Sequence, residues 1–549
     1  MSESSITSLS ISFSLWRDPW ISIIQPDGQM RELSIGACLA EAHTLAALQD
    51  ASPLVVAGTH RLLVAILQAI YAPESLDDIA NVLRAGQFDQ GKLDDFAAQY
   101  IERFELFHPT APFLQTGDVP LEGWRKPEKA KKDEPKVAAS WAEPKPIAPL
   151  FDEVPGTTYR ALYHHITDDQ HRVCPACCAR GLLTLAAFAS SGGAGIRPSI
   201  NGVPPVYVLP AGTSLFETLA LSLTTLDYQP ESAQYPQTEN AAWNRQPLIT
   251  RDREQPTVSY LESLTFPARR VRLYPLAEHA TCTQCGVETP IYVQQMLFEM
   301  GHRRSEGAPV WEDPFVAFRA PGGKRTGESG GVVPVRPQPG KALWREYIGL
   351  LLLDRETQMR PKIVRQLAAL YDADILDDRH MARFRCIGIR SDGKAKIFEW
   401  LDEALEAPPD LLNDALGIEL IDQALDQARQ VEQTVRFTFD QHFRPLRAQG
   451  KKIDNKMVRF RTLRDRMLAT FWQRLADDFR QFVRAAADPF TRDDANVTWI
   501  NRVIAVGEQT FNQAAEQVGN RADALRARVL AQDACWGRLR AKRKEWIGE

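Results

Sequence analysis

Four cysteines at CxxC spacing are where chemistry is most legible in this chain. Cys174 and Cys177 lie in "HRVCPACCARG", and Cys282 and Cys285 lie in "EHATCTQCGVE". A CxxC puts two sulfurs on one tight turn, where both can face a single metal ion. Two such knuckles complete a tetrahedral four-thiolate zinc site with no open coordination position. A closed site of that kind is structural: Zn2+ clips two distant loops together and leaves no place for a substrate. The chain between the knuckles is far longer than in a compact zinc ribbon, and two other readings stay open. One is a redox CxxC, for which the thioredoxin-like βαβ context is missing; the other is plain buried thiols. Cys178 offers a further ligand at poorer spacing, whereas Cys38, Cys386 and Cys535 stand in apolar or helical settings expected of core residues. Eight cysteines in 549 residues are too few for a disulfide scaffold, which leaves metal or redox chemistry for the paired ones.

A second feature follows the first knuckle directly. "ASSGGAGIRPSINGVPP" carries Gly192, Gly193, Ala194 and Gly195, then Arg197. It is not a dinucleotide fingerprint, because it follows a helix-like segment and lacks the third glycine; "GGKRTGESGG" at 322–331 likewise lacks the ending of a P-loop. What remains is either a surface turn or a backbone that can approach another molecule closely, with few Cβ atoms in the way. Basic residues recur near such loops: His302, Arg303 and Arg304 in "GHRRSEG", and Arg390, Lys394 and Lys396 in "IRSDGKAK". "RPLRAQGKKIDNKMVRFRTLRDRM" also concentrates positive charge from Arg444 to Arg466. The net charge of −5 argues against indiscriminate coating of nucleic acid. It permits a few local phosphate contacts, with a solvated helix face as the alternative. His164 and His165 have Asp168 and Asp169 nearby, which could suggest metal or acid–base chemistry, and a loop or packing role is expected of them. HExxH, GxSxG and carboxylate clusters at strand ends are all missing, so the chain is not read as an enzyme.

The elements that must position these residues form an α+β chain. Its length implies two or three domains. "WISIIQPDGQMRELSI" reads as a hairpin about Pro-Asp-Gly. "SPLVVAGTHRLLVAILQAIY" reads as a helix, "PVYVLPAGTSLFETLALSLTTL" as strand, turn and helix, and "PARRVRLYPL" as a strand leading into the second CxxC. "RKPEKAKKDEPK" at 125–136 is a solvated loop by composition. Beyond about residue 395 the pattern becomes helical. Ile418, Ile421, Leu425, Ala428, Val431, Val435 and Phe439 form one stripe, and three further stripes follow with breaks near "RAQGKKIDN", "ADPFTRDD" and "GN". Four long helices with short connections predict an antiparallel four-helix bundle over 396–549, after a mixed α/β domain with long loops over 1–395. No apolar run of membrane-spanning length and no signal peptide are read, which places the chain in the cytoplasm with no membrane partner.

The order of these parts resembles the large subunit of the type I-E CRISPR surveillance complex, Cascade, in the Cse/CasA family. The resemblance rests on "WISIIQPDGQMRELSI", "HPTAPFLQ", the two CxxC knuckles, the glycine loop, "GVPPVYVLPAGTSLFETL", "GIRSDGKAKIFEW" and the terminal helices. It implies a non-catalytic subunit at the crRNA 5′ end, in contact with the other crRNA-containing Cascade subunits. Such a subunit reads the protospacer-adjacent motif (PAM) in double-stranded target DNA, helps open the duplex and docks a recruited helicase-nuclease. It also implies zinc on Cys174, Cys177, Cys282 and Cys285, and a PAM-reading loop at Gly192, Gly193, Ala194 and Gly195, beside Arg197. The family's minor-groove lysine falls near Met300, where no lysine stands, which turns attention to His302, Arg303 and Arg304. Its glutamine wedge falls in "SDGKAK", where Lys394 is the nearest candidate and Gly393 the fallback. The loop that meets the crRNA end falls within "PLFDEVPGTTYRALYHH". A purely structural assembly scaffold is the alternative reading, and a metal-dependent nuclease a further one.

Overall fold

The computed structural model of the chain describes residues 11–119, 144–151, 170–190, 196–231, 241–244, 248–255, 258–320, 332–338, 341–352, 354–355, 358–391, 397–444 and 455–548. Two compact units emerge. The first comprises Met1–Pro337, Pro361–Leu370 and Arg383–Ala404, and the second Gln338–Arg360, Tyr371–Ala382 and Leu405–Glu549. The calls on 125–136, on 322–331, on the His164/His165/Asp168/Asp169 cluster and on most of the crRNA-facing segment lie outside the described residues, as do Gly192 to Gly195, Gly393 and Lys394.

In the first unit the expected hairpin pairs β1 (Ile21–Ile24) with β2 (Met30–Leu33), and β3 (Ala47–Leu48) joins on the other side of β1. α1 (Ile35–Ala40) follows, capped by Ser34. α2 (Pro53–Tyr71) starts with proline at its first position, where a missing N–H costs nothing. It is long and apolar enough to cross a bilayer, yet 83% of its apolar window is buried, and His60 and Arg61 lie within it. It is a core helix, apolar all round because it is covered all round. α3 (Leu76–Ala85) and α4 (Gln90–Tyr100) are amphipathic and cover its end of the unit. Gly58 lets α2 approach α5 (Pro175–Phe188): a Cβ there would stand 2.9 Å from the Leu183 carbonyl oxygen. The buried charge on α2 is paired, with Arg61 donating to Asp313 at 2.8 Å and its guanidinium 4.9 Å from the Tyr207 ring centroid.

The element that orders the middle of the unit is an antiparallel ribbon. β4 (Lys145–Pro146) lies at one edge, β5 (Tyr207–Pro210) belongs to a separate sheet, and α6 (Leu215–Ala220) follows β5. β6 (Arg253–Gln255) and α7 (Tyr260–Leu264) lead into β7 (Arg269–Leu276). A small hairpin of β8 (Ala280–Thr281) and β9 (Glu288–Thr289) intervenes before β10 (Tyr292–Met300) pairs back along β7, from Leu276 opposite Tyr292 to Arg269 opposite Met300. β11 (His302–Arg304) then runs parallel to β6. α8 (Lys362–Asp372) and a last hairpin, Ala382–Ser391 with Ile397–Ala407, come later in the chain; Phe384 to Ile387 of that hairpin pair with β5.

The second unit contains α9 (Ala415–Phe443), α10 (Asn455–Ala487), α11 (Arg492–Glu516) and α12 (Ala522–Ile547), with bounds close to those the stripes predict. The apolar stripe of α9 is buried from Ile421 to Phe439, with Ile418 at its partly exposed start. Contacts fix the directions. Trp499 donates to the Ala424 carbonyl and Phe511 meets Phe439, so α11 runs parallel to α9. Arg502 pairs with Asp478 and Arg474 bonds Gln513, so α10 runs against α11. Arg538 reaches Thr438 and Lys542 reaches Gln430, so α12 runs against α9. Trp344 and Tyr347, far earlier in sequence, pack on Phe479 of α10 at 4.7 and 5.6 Å between ring centroids.

Candidate functional site

The two knuckles meet at one end of the β7–β10 ribbon. Cys174 is the N-cap of α5, with Pro175 as the first helical residue, so helix initiation itself presents its sulfur next to that of Cys177 one turn on. Val173 forms a β-bridge with Val293 of β10, which carries this knuckle to the ribbon. The second knuckle is the turn of β8–β9. Cys282 N–H donates to the Val287 carbonyl, Gly286 N–H donates to the Cys282 carbonyl, and Gly286 sits at φ +77°, where a side chain would be strained. Thr283 N–H donates to the Arg172 carbonyl at 2.7 Å and stitches the knuckles together.

The four Sγ atoms lie within 4.8 Å of one another, with Cys174 and Cys285 at 3.7 Å. A tetrahedral ion with metal–sulfur bonds of about 2.3 Å requires sulfur–sulfur edges of about 3.8 Å, so the donor set fits a structural divalent metal. Cys178 stays outside the cluster and donates to the Val173 carbonyl. Hydrogen bonds from Cys174 and then Cys177 pull the Cys282 thiol well below its ordinary range, and a bond from Cys177 holds Cys285 down to about 7. The proximity of Cys174, Cys282 and Cys285 pushes the Cys177 thiol far up, because its one proton is shared with the sulfurs around it. Without a cation the four sulfurs therefore share protons, and a divalent ion is what allows all four to ionise. The remaining negative charge meets the Cys174 N–H, 3.3 Å from the Cys282 sulfur, and Arg180 Nη1, 3.9 Å from the Cys177 sulfur. Three of the cysteines are buried in a core that includes Leu106, Phe107, Val271 and Met296, and Cys285 is exposed.

Two struts leave this cluster and arrive at the same place. α5 runs from Pro175, directly after its N-cap Cys174, to Phe188 and hands over to Ala189 and Ser190, which precede the glycine loop. β7 and β10 run from the second knuckle to Arg269 and Met300, roughly 23 Å away at about 3.3 Å per residue. There they meet the far side of the loop. The Arg197 N–H donates to Met300 Sδ, Ser199 N–H donates to the Ala189 carbonyl at 2.9 Å, and the Ser199 hydroxyl donates to the Ala186 carbonyl. Met300, which stands where the resemblance places a lysine, is buried and holds the loop's exit.

The basic candidates nearby differ in what they offer. Arg197 is 49% exposed and pairs with Glu306 at 3.3 Å. His302 is buried, with Nδ1 3.2 Å from Gln255 Oε1. Arg303 is 18% exposed and pairs with both Asp252 and Glu254 at 2.9 Å. Arg304 lies over the Trp311 ring, and burial lowers its pKa. The structure thus gathers Arg197 and the His302–Arg304 strand around one loop foot, with Arg197 the most accessible of the four. The tip between Ser391 and Ile397 is flanked by Arg390, which pairs with Glu399 and Glu403.

Sequence reasoning missed the arginines of "PARRVRLYPL". All three are buried: Arg270 pairs with Asp118 and Glu299, Arg272 donates to the carbonyls of His108 and Pro109, and Arg269 binds the loop foot. The signal was present, since an arginine inside an apolar strand has to find acceptors.

A family model described as CRISPR-associated protein Cse1 matches residues 14–510. CRISPR-associated protein CasA/Cse1 of Thermus thermophilus is 30% identical over 353 residues, a match spanning 62% of this chain and 60% of that relative. The crystal structure of Cse1 from Acidimicrobium ferrooxidans superposes with a TM-score of 0.75 at 21% identity, over 98% of this chain and 99% of that one. A chain of a CRISPR RNA-guided surveillance complex gives 0.70 at 18% identity, over 96% and 99%. With the family match running from the first hairpin into α11, this chain belongs to the family of CRISPR-associated protein Cse1.

Proposed function

We propose that this chain is the large, non-catalytic subunit of the type I-E Cascade complex, a crRNA-guided antiviral assembly of the cytoplasm. In this reading it recognises the PAM in double-stranded target DNA, helps start duplex opening and recruits the helicase-nuclease. The observation that carries it is the family match over most of the chain, joined to a fold shared with a chain of an RNA-guided surveillance complex. Supporting it locally, a braced loop foot carries an accessible arginine and a second basic segment at the base of Gly192 to Gly195. A glycine-rich backbone can enter a minor groove that side chains would obstruct, and an arginine beside it is drawn to the groove's negative potential. The division of labour is economical in contacts: guide pairing reads the long sequence, and protein reads a short duplex motif.

The DNA-facing set in this proposal is Gly192, Gly193, Ala194, Gly195, Arg197, His302, Arg303, Arg304, Gly393 and Lys394, within a PAM-recognition part over 1–395. Cys174, Cys177, Cys282 and Cys285 hold Zn2+, whose chemistry here is charge neutralisation and cross-linking alone. The helices α9 to α12, from Ala415 to Ile547, form an antiparallel four-helix bundle that meets the other Cascade subunits; the stretch from 396 that the sequence assigned to it begins instead with the strand Ile397–Ala407. The test is target-duplex binding by the crRNA-loaded remainder of the complex, with and without this chain, on a library randomised at three positions beside the protospacer. Motif-dependent binding on adding the chain is expected; motif-blind binding would leave a structural scaffold, and metal-dependent cleavage by the chain alone would point to a nuclease.

A further inference from the structure

We infer that Arg269 is a positioning residue for motif reading, acting as a clamp across the neck of the glycine loop; the inference rests on the proposed role of that loop. Arg269 opens β7, and its side chain is almost fully buried at 4% exposure. Nη2 donates to the Ser190 carbonyl at 2.6 Å and Nη1 donates to the Arg197 carbonyl at 2.8 Å. These carbonyls belong to the residues just before and soon after Gly192 to Gly195, so one guanidinium spans the entry and the exit of the loop. Nη1 also donates to the Ala268 carbonyl at 2.9 Å and lies 3.8 Å from Met300 Sδ, which itself accepts from the Arg197 N–H.

The next closure outward is the pair of bonds from Ser199 to Ala189 and Ala186. Removing the clamp releases the Ser190 carbonyl and leaves the Arg197 carbonyl unpaired, so Arg197 is then held by its N–H on Met300 Sδ and by Glu306, and one group no longer ties residue 190 to residue 197. Two positions held to one planar group have less relative freedom to lose when the residues between them dock on another molecule. Two properties of the residue fit the task. A planar guanidinium aims N–H groups of two different nitrogens at two carbonyls in a fixed fork, whereas a lysine offers its donors from one nitrogen on a flexible stem. The anchor is also stiff, because Arg269 faces Met300 at the end of a ribbon whose opposite end carries the cysteine cluster.

The test uses the full chain and the variants Arg269→Lys, Arg269→Gln and Arg197→Ala. Hydrogen exchange is followed on peptides spanning 189–199, with peptides of β7 and β10 as the control for folding. In the Arg269 variants, exchange across 189–199 is expected to rise by ~10-fold or more, from the loss of charge-assisted hydrogen bonds, with Lys milder than Gln. Arg197→Ala leaves the Arg197 carbonyl in place, so its exchange should match the wild type. Each variant is then added to the crRNA-loaded remainder of the complex and tested on the randomised duplex library. Loss of motif selectivity with Gln and its partial rescue with Lys are expected, at unchanged assembly. Should Gln fail to fold, Lys with protected ribbon peptides carries the test. Unchanged exchange in the folded Arg269 variants would overturn the clamp, and raised exchange with unchanged selectivity would overturn its part in reading. If the wild-type chain confers no motif dependence, the proposed function falls, and with it the reading role, while the exchange data still decide the clamp.

Discussion

The cysteine cluster offers the sharpest quantitative test. Cys174 and Cys282 are 108 residues apart in sequence and in contact in space. Closing a loop of that length removes ~5 kcal/mol of chain entropy from the unfolded state, taking the cross-link relation used for disulfides. Part of the closure is made without metal, by the Val173–Val293 bridge and by the bonds between Thr283 and Arg172. The ion is therefore expected to contribute about 2–3 kcal/mol beyond those contacts, and Cys282→Ser or chelation should lower the melting temperature of the first unit by roughly 5 °C. Metal analysis of purified protein should find one zinc per chain in the wild type and none in Cys282→Ser. Cys178→Ala is the internal control: its sulfur lies outside the cluster, so zinc content should stay at one. Stripped protein should also lose motif-dependent duplex binding, because both struts to the loop foot start at the cysteine cluster. Wild-type protein without stoichiometric zinc, or a Cys282→Ser variant that melts with the wild type, would refute the reasoning.

Three further outcomes follow from other parts of the structure. Asp313→Asn leaves Arg61 as an uncompensated buried charge beside Tyr207 and should cost about 3–5 kcal/mol in chemical unfolding of the first unit; a loss below 1 kcal/mol would contradict the pairing. Burial holds His60 neutral in the fold, its pKa lowered from 6.5 to about 3. The unfolded chain takes up a proton the fold refuses, so this contribution is complete above pH 6.5 and is lost as pH falls towards 3, at up to ~1.4 kcal/mol per pH unit. His60→Gln should flatten melting temperature against pH in that window, and an unchanged slope would count against it. Arg197→Ala should weaken duplex binding by the reconstituted complex and reduce the slope of log affinity against log salt by ~1; an unaltered slope would show that Arg197 makes no phosphate contact.

Local signals carried much of this protein. Apolar spacing determined the four C-terminal helices to within a few residues, because a helix that buries one face must repeat every three or four positions whatever it packs against. Pro-Asp-Gly determined the first hairpin, and the CxxC spacing determined that each knuckle presents two sulfurs together. The meeting of the knuckles was another matter. It depends on Val173 pairing with Val293 and on the turn that ends β7, contacts between segments more than a hundred residues apart that leave no periodic trace. Tertiary structure alone also decided that Trp344 and Tyr347 join the helical unit, since what places them is the complementary surface around Phe479. It sorted the basic residues too. By type, Arg197, Arg269 and Arg303 are the same residue; accessibility and acceptors make the first a candidate for phosphate, the second a clamp and the third a mostly covered partner of two carboxylates. Sequence supplies the charge, but only the fold supplies the acceptors that decide whether that charge faces outward or is used within.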